Sequence, residues 1–441
     1  MTERLDETVP GEGAPGIAAS SYAADERLLA ELRAAWPPAA PPSSPDAAVR
    51  GYVEADLRLR EPTAALRVGD RFALALTAEP DGAFGVVPLA RDDVLVTSWR
   101  RAVAGDGLSA FVAGVPLASE RSIEADQTNA SVVVGERAIV KWFRRVGPGP
   151  SRAATLIAHL DAVGFGEMPA PLGSLTWGRG DGPDLTIAQG DTYLAGARDG
   201  WEWCVERLER HVGHGETDCP AGCDPWIGVP LGRLVARLHA ALSTPSDVLP
   251  EPPSAADPRT VAVWRARADA TIDDALRLTA EQDPAAVAIL AAIAPAMRAD
   301  LDAVASGRPV AIQPVHGDLH VGQVLEWSGG LAIIDFDGNP ALGPEANALR
   351  QPGERDIAQM ATSLDHVGRI VDHRTAGSAR PIVDAWIART RREFLGALDP
   401  DPALLGAFEV EQECRELIYA ARFLPRWRYA PLAALRARYG G

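Results

Sequence analysis

VHGDLHVGQVL (residues 315–325) and LAIIDFDGNP (residues 331–340) decide how this chain of 441 residues is read. The first places Asp318 on a loop after an apolar approach, with the amide of Gln323 five residues further on. In the second, Asp335 follows the apolar run Leu331, Ala332, Ile333 and Ile334, where a buried strand would emerge. One carboxylate can orient a hydroxyl and take its proton. An amide and a second carboxylate can hold magnesium. Together they are the polar set that phosphoryl transfer from ATP requires. Taken singly, each has a plain structural reading: Asp318 as a turn residue after glycine, Asp335 as a cap, Gln323 as a surface amide. It is their grouping that points to chemistry.

The neighbours fit around this set. His316 is expected to hydrogen-bond the loop near Asp335 and fix its shape. His320 reads equally as framework or as a substrate contact, and Asp337 as a metal ligand or a substrate contact.

Upstream, ASVVVGERAIVKWFRR (residues 130–145) has two β-branched runs around Gly135 and Glu136, which predicts a hairpin. Lys141 ends its second apolar strand, where a lysine reaches the α- and β-phosphates of ATP. DQTNAS (residues 126–131) is a small-polar turn before that hairpin. Asp126, Gln127, Thr128, Asn129 and Ser131 are therefore candidate phosphate-covering residues, although the turn has no glycine and is not a Walker loop.

The rest divides by pattern. Residues 23–36 have helical spacing and are followed by a Pro/Ser linker at 37–47. Short β-like runs at 71–80, 83–90 and 92–99 predict a small strand-rich domain. Residues 154–164 predict a helix stopped by glycine, and residues 184–194 a strand leading into a loop. From residue 200 onward helical periodicity dominates, with the two opening phrases inside that block. The expected organisation is an N-terminal cap (1–118), a β-rich nucleotide-binding N-lobe (119–195) and a helical C-lobe (196–441).

Bulk properties exclude some classes. A net charge of −17 repels a phosphate-rich polymer, so nucleic acid is not an expected partner. The acidic N-terminus has no apolar core and is not a secretory signal, and no stretch reaches eighteen or so uninterrupted apolar residues. Four cysteines do not make a disulfide scaffold. A cytoplasmic monomer that binds neither membrane nor nucleic acid is expected.

HGDLHVGQVL, IIDFDGNP, Arg355-Asp356, AIVKWFRR, GWEW (residues 200–203) and IYAARFLPRW (residues 418–427) together resemble the aminoglycoside-phosphotransferase-like kinases, and within them the actinobacterial maltokinase and glucosamine kinase branch. The resemblance covers roughly residues 51–441. It implies an α+β, bilobal, protein-kinase-like (aminoglycoside phosphotransferase-like) fold with a strand-rich N-terminal cap, ATP between the lobes and Mg²⁺ as cofactor. By the same resemblance Asp318 is the base, Gln323 and Asp335 hold Mg²⁺, and Lys141 contacts phosphate. The stretch 188–193, with Ala188, Gln189 and Gly190, is the hinge that meets adenine. One departure is the helix after the lysine strand, which offers no acid before Asp161 to pair with Lys141. A second is ERHVGHGETDCPAGC (residues 209–223). Its His211, His214, Cys219 and Cys223 read as plain loop residues, a loop disulfide or a zinc site.

A sugar hydroxyl is the implied acceptor. The acid-rich helical stretch 408–423 offers Gln412, Glu413 and Glu416, and Trp427 follows as a ring to stack on a pyranose. Such a wall suits a cationic amino sugar, hence glucosamine phosphorylated at its 6-hydroxyl. Maltokinase chemistry, antibiotic phosphorylation and a catalytically dead binding protein are the alternatives, in that order.

Overall fold

The computed structural model describes residues 50–59, 71–78, 84–86, 120–123, 130–134, 136–143, 145–146, 151–177, 185–215, 223–302, 304, 309–339, 342 and 349–440. The helix expected at 23–36, the run at 92–99 and the turn residues Asp126, Gln127, Thr128 and Asn129 lie outside the described residues. The chain is α+β and forms two compact units. One comprises Met1–Ala154 and Ala170–Ala195, the other Thr155–Pro169 and Gly196–Gly441.

The first unit is built on a nine-stranded sheet. Its strands are β1 (Arg50–Leu59), β2 (Arg71–Ala78), β3 (Phe84–Val86), β4 (Glu120–Ile123), β5 (Ala130–Val134), β6 (Ala138–Trp142), β7 (Arg145–Val146), β8 (Pro171–Trp177) and β9 (Leu185–Thr192). They lie in the order β4-β5-β6-β9-β8-β1-β2-β3-β7. The predicted hairpin is β5–β6. Its turn residue Glu136 takes φ 55°, the left-handed conformation that tight antiparallel connections demand. Val133 and Val140 are fully buried beneath it. Strand β1 pairs antiparallel with β8, so strands from before residue 118 and after residue 119 share one ladder.

The second unit is mostly helical. Helix α1 (Arg152–Ala162) begins in the first unit and runs into it. There follow α2 (Gly200–Val212), α3 (Gly228–Ser243), α4 (Pro258–Ala280), α5 (Pro284–Asp302), α6 (Glu354–Arg374), α7 (Arg380–Gly396), α8 (Pro402–Arg422) and α9 (Tyr429–Tyr439). Two small sheets interrupt them: β10 (Ser254–Ala255), β11 (Ala311–Pro314) and β14 (Arg350–Gln351) in the order β10-β11-β14, and a hairpin of β12 (Val324–Trp327) and β13 (Gly330–Ile333). Local chemistry sets the helix starts. Asp257 caps α4 by accepting from Thr260 N–H, and Asp401 caps α8 by accepting from Ala403 and Leu404 N–H, each followed by proline at the first helical position.

By length and composition α5 is apolar enough to cross a membrane. Its buried residues, among them Leu290, Met297 and Leu301, instead belong to a helix packed against α4, α8 and α9. Helix α8 is the centre of this unit, packed against α4, α5, α6 and α9. Its acids are therefore not an open wall. Glu409, Glu411 and Glu413 are all buried.

Candidate active site

The loop between β11 and β12 carries the first phrase, and the β13 exit carries the second. Helix α6 holds that loop in place. Asp356, fully buried, accepts from the backbone N–H of His316 (2.8 Å) and Gly317 (2.9 Å) and contacts His239 Nε2 at 3.1 Å. Burial by itself would raise its pKa. The bond and charge of His239 and the bond from Gly317 N–H hold it below the ordinary aspartate value. One turn on, Gln359 accepts from Leu319 N–H (3.1 Å) and donates to Gly317 O (3.3 Å). A further turn on, Ser363 Oγ accepts from Val321 N–H at 3.0 Å. Asp356, Gln359 and Ser363 are spaced three and four apart, so they share one face of α6. Buried backbone donors left unsatisfied would be costly, and this face satisfies four of them.

His316 does what the sequence led us to expect. Fully buried, it is kept neutral by desolvation, with its pKa lowered despite the nearby acids. Its Nε2–H donates to Ile334 O (2.9 Å), and its Nδ1 accepts from Asp318 N–H (3.3 Å). One ring thus ties the residue before Asp335 to Asp318. His320 Nδ1 accepts from Gly322 N–H (3.1 Å), which starts the short 3₁₀ turn Val321–Gln323.

Asp318 Oδ1 accepts from Asn339 Nδ2 at 2.9 Å. Burial pushes its carboxyl above the ordinary aspartate range. His320 pulls it back, and the negative charges of Asp335 and Glu416 add to the rise. Gln323 is buried, and its Nε2 lies 3.4 Å from Asp335 Oδ2 and 3.5 Å from His320 Nε2. Asp335 is exposed and takes φ 63°, a left-handed backbone that turns it out of the strand end. Ile334 N–H donates to Gln323 O at 3.0 Å, which joins the two phrases through the backbone as well. Asp337 is half-buried on the same connection.

Close backbone approach brings α2 to this loop. A Cβ on Gly200 would lie 1.7 Å from Val321 O, and one on Gly322 would meet the Trp201 indole at 2.7 Å. Trp201 in turn lies 6.0 Å from His320 and 6.0 Å, edge-on, from Trp427.

The proposed acceptor residues separate. Trp427 Nε1 donates to Glu416 Oε2 (2.9 Å), and Gln412 Nε2 donates to Glu416 Oε1 (3.1 Å). Glu416 is half-buried, and its charge acts on Asp318. Glu413 is buried in an ion pair with His366 Nε2 at 2.9 Å, where α8 packs against α6.

The first unit holds the other predicted residues. Lys141 is half-buried on β6, in register with Ser131 of β5 and Gln189 of β9. Ser131 is buried. Ala188, Gln189 and Gly190, expected at the hinge, lie on β9 and pair with β6 on one side and β8 on the other. Gln189 Nε2 also donates to Asp191 Oδ1 at 3.1 Å. Helix α1 carries no acid in its first turn. In the second departure, His211 is buried against the Trp226 ring (5.4 Å), His214 is exposed, and Cys219 lies outside the described residues. No group of three or more His, Cys, Asp or Glu able to hold a metal occurs among the described residues.

Sequence reasoning missed Asn339, Gln359, Ser363 and Trp201. Asn339 was visible inside DFDGNP, two residues after Asp337. The α6 pair was visible as polar residues at helical spacing from Asp356.

No family model matches the chain. It is 38% identical over 436 residues to a glucosamine kinase of Streptacidiphilus jiangxiensis, covering 91% of this chain and 95% of the relative. It is 37% identical over 409 residues to a glucosamine kinase of Mycolicibacterium smegmatis, covering 84% and 96% respectively. A solved structure of glucosamine kinase in complex with glucosamine, ADP and inorganic phosphate aligns with a TM-score of 0.69 and 35% identity, over 87% of this chain and 93% of that one.

Proposed function

This chain belongs to the glucosamine kinase family, and we propose that it transfers the γ-phosphoryl group of ATP to the 6-hydroxyl of glucosamine. The observation that carries this reading is the setting of Asp318: a carboxylate of raised pKa, fixed by Asn339 and by a loop bolted to α6, with Glu416 and Trp427 on its acceptor side. A base works best when its pKa approaches the working pH, and burial moves Asp318 in that direction. Its free oxygen orients the acceptor hydroxyl and takes the proton. Glu416 supplies a partly desolvated negative charge that favours an ammonium-bearing sugar over a neutral one. Trp427, held by its indole N–H, supplies the flat face on which a pyranose stacks.

Gln323 and Asp335 fit a magnesium site: both bring oxygen donors, they stand within contact of one another, and Asp335 is exposed. Held by Gln323 and Asp335, Mg²⁺ would supply charge neutralisation to the transferring phosphoryl group. Lys141 is assigned to phosphate. Adenine recognition moves past the end of the β9 ladder at Thr192, to Leu194 and Ala195. We read residues 1–118 as the cap, 119–195 as the N-lobe and 196–441 as the C-lobe of a cytoplasmic, monomeric enzyme.

The test is ATP consumption with glucosamine, glucose, maltose and kanamycin as acceptors. Turnover should be strongest with glucosamine. Strong turnover of maltose with none on glucosamine contradicts the reading.

A further inference from the structure

The face of α6 that bolts the catalytic loop does not end at Ser363. Asp356, Gln359, Ser363 and His366 follow one another at spacings of three, four and three, so His366 continues the same row one turn further. Its ring is buried, its Nε2 pairs with buried Glu413 of α8, and it packs edge-on against Trp427 at 5.4 Å. The Trp427 indole is then fixed from the other side by Glu416 at 2.9 Å. One helix face thus touches both the loop that carries Asp318 and the ring on the acceptor side.

We infer that the His366–Glu413 pair is a positioning pair that sets the orientation of Trp427 and thereby tunes acceptor affinity. The inference rests on the proposed acceptor role of Trp427. An aromatic ring has no polar group on its face, so its orientation must come from packing and from its single N–H. Glu416 holds the N–H and His366 meets the ring, so the two together fix both. A buried ion pair is a poor source of stability compared with apolar residues of similar size, but its geometry is specific. The charges that face His366 are Glu413 and Glu416 from α8 and Asp365 from α6 itself. Burial would lower the imidazole pKa; these carboxylates, Glu413 foremost, raise it to about 9.

The experiment compares wild type, His366→Leu, Glu413→Leu and the double variant. Each single variant leaves one buried charge without its partner, so its Tm should fall. The double variant should recover Tm, because an apolar pair replaces the ion pair. If the pair positions Trp427, the double variant keeps a KM for glucosamine raised on the order of tenfold, with kcat and KM for ATP near wild type. If glucosamine KM recovers with Tm, the pair is merely structural and the inference fails. A crystal structure of the double variant reads the same claim without turnover. A Trp427 ring unmoved on Glu416 overturns it, and a rotated ring supports it. Wild type that consumes no ATP with glucosamine would defeat the proposed substrate, while the ring position would still decide the pair.

Discussion

Asp318 owes its chemistry to its surroundings. Asn339 holds one carboxylate oxygen, the neutral ring of His316 takes its backbone N–H, and burial raises its pKa. Glu411 shows the opposite tuning with the same residue class. It is buried among Arg267 (3.1 Å), Arg355 (2.9 Å) and Arg415. Burial alone would raise its pKa, but the three guanidiniums overcome this and lower it to about 2. A depressed carboxylate pKa contributes stability that is present above the unfolded value of ~4.3 and is lost as pH falls. For Glu411 the loss runs from there down through about 2. Glu411→Gln should therefore destabilise the protein at neutral pH by ~3–5 kcal/mol, because it leaves buried guanidiniums without their carboxylate. The Tm gap between wild type and variant should narrow as pH drops below about 4. A gap that is constant with pH would show that the charge is not what matters.

Two helices carry the lesson of the element scale. On α6 the row Asp356, Gln359, Ser363 and His366 turns one face into a scaffold for the loop and for Trp427. Asp356→Ala should leave two buried N–H groups of that loop unpaired, at roughly 1–3 kcal/mol each. It should lower kcat more than it changes KM for ATP, as steady-state kinetics on the folded variant would read. Unchanged kcat would refute the scaffold role. Periodicity located both helices correctly, since apolar spacing is a local property. It took the whole acid-rich face of α8 for an acceptor wall, because the partners of Glu409, Glu411 and Glu413 are not local in the sequence. Arg391 and Arg438 on Glu409, Arg267 and Arg355 on Glu411, and His366 on Glu413 all come from other elements. The surroundings of the expected hinge were hidden for a similar reason. Residues 184–194 read as one strand, but only the sheet order shows that β9 is an interior strand with its backbone groups already paired.

For the molecule as a whole, the α+β character was legible in the strand-like runs, the helical periodicity and the family resemblance, and the cluster of Asp318, Gln323 and Asp335 in two short phrases, because backbone position and side-chain chemistry coincide there. The supports were not legible: Asp356, Gln359 and Ser363 sit some forty residues away and act through a fold that brings α6 under the loop. Those supports hold the loop of Asp318 in one conformation. The central claim is that Asp318 is this base for a glucosamine hydroxyl. The most direct measurement is glucosamine-dependent ATP turnover by Asp318→Asn beside wild type, with nucleotide affinity measured in parallel. The variant should bind nucleotide as wild type does and lose about 10²–10⁴-fold in kcat. Wild-type turnover by the variant would contradict the account.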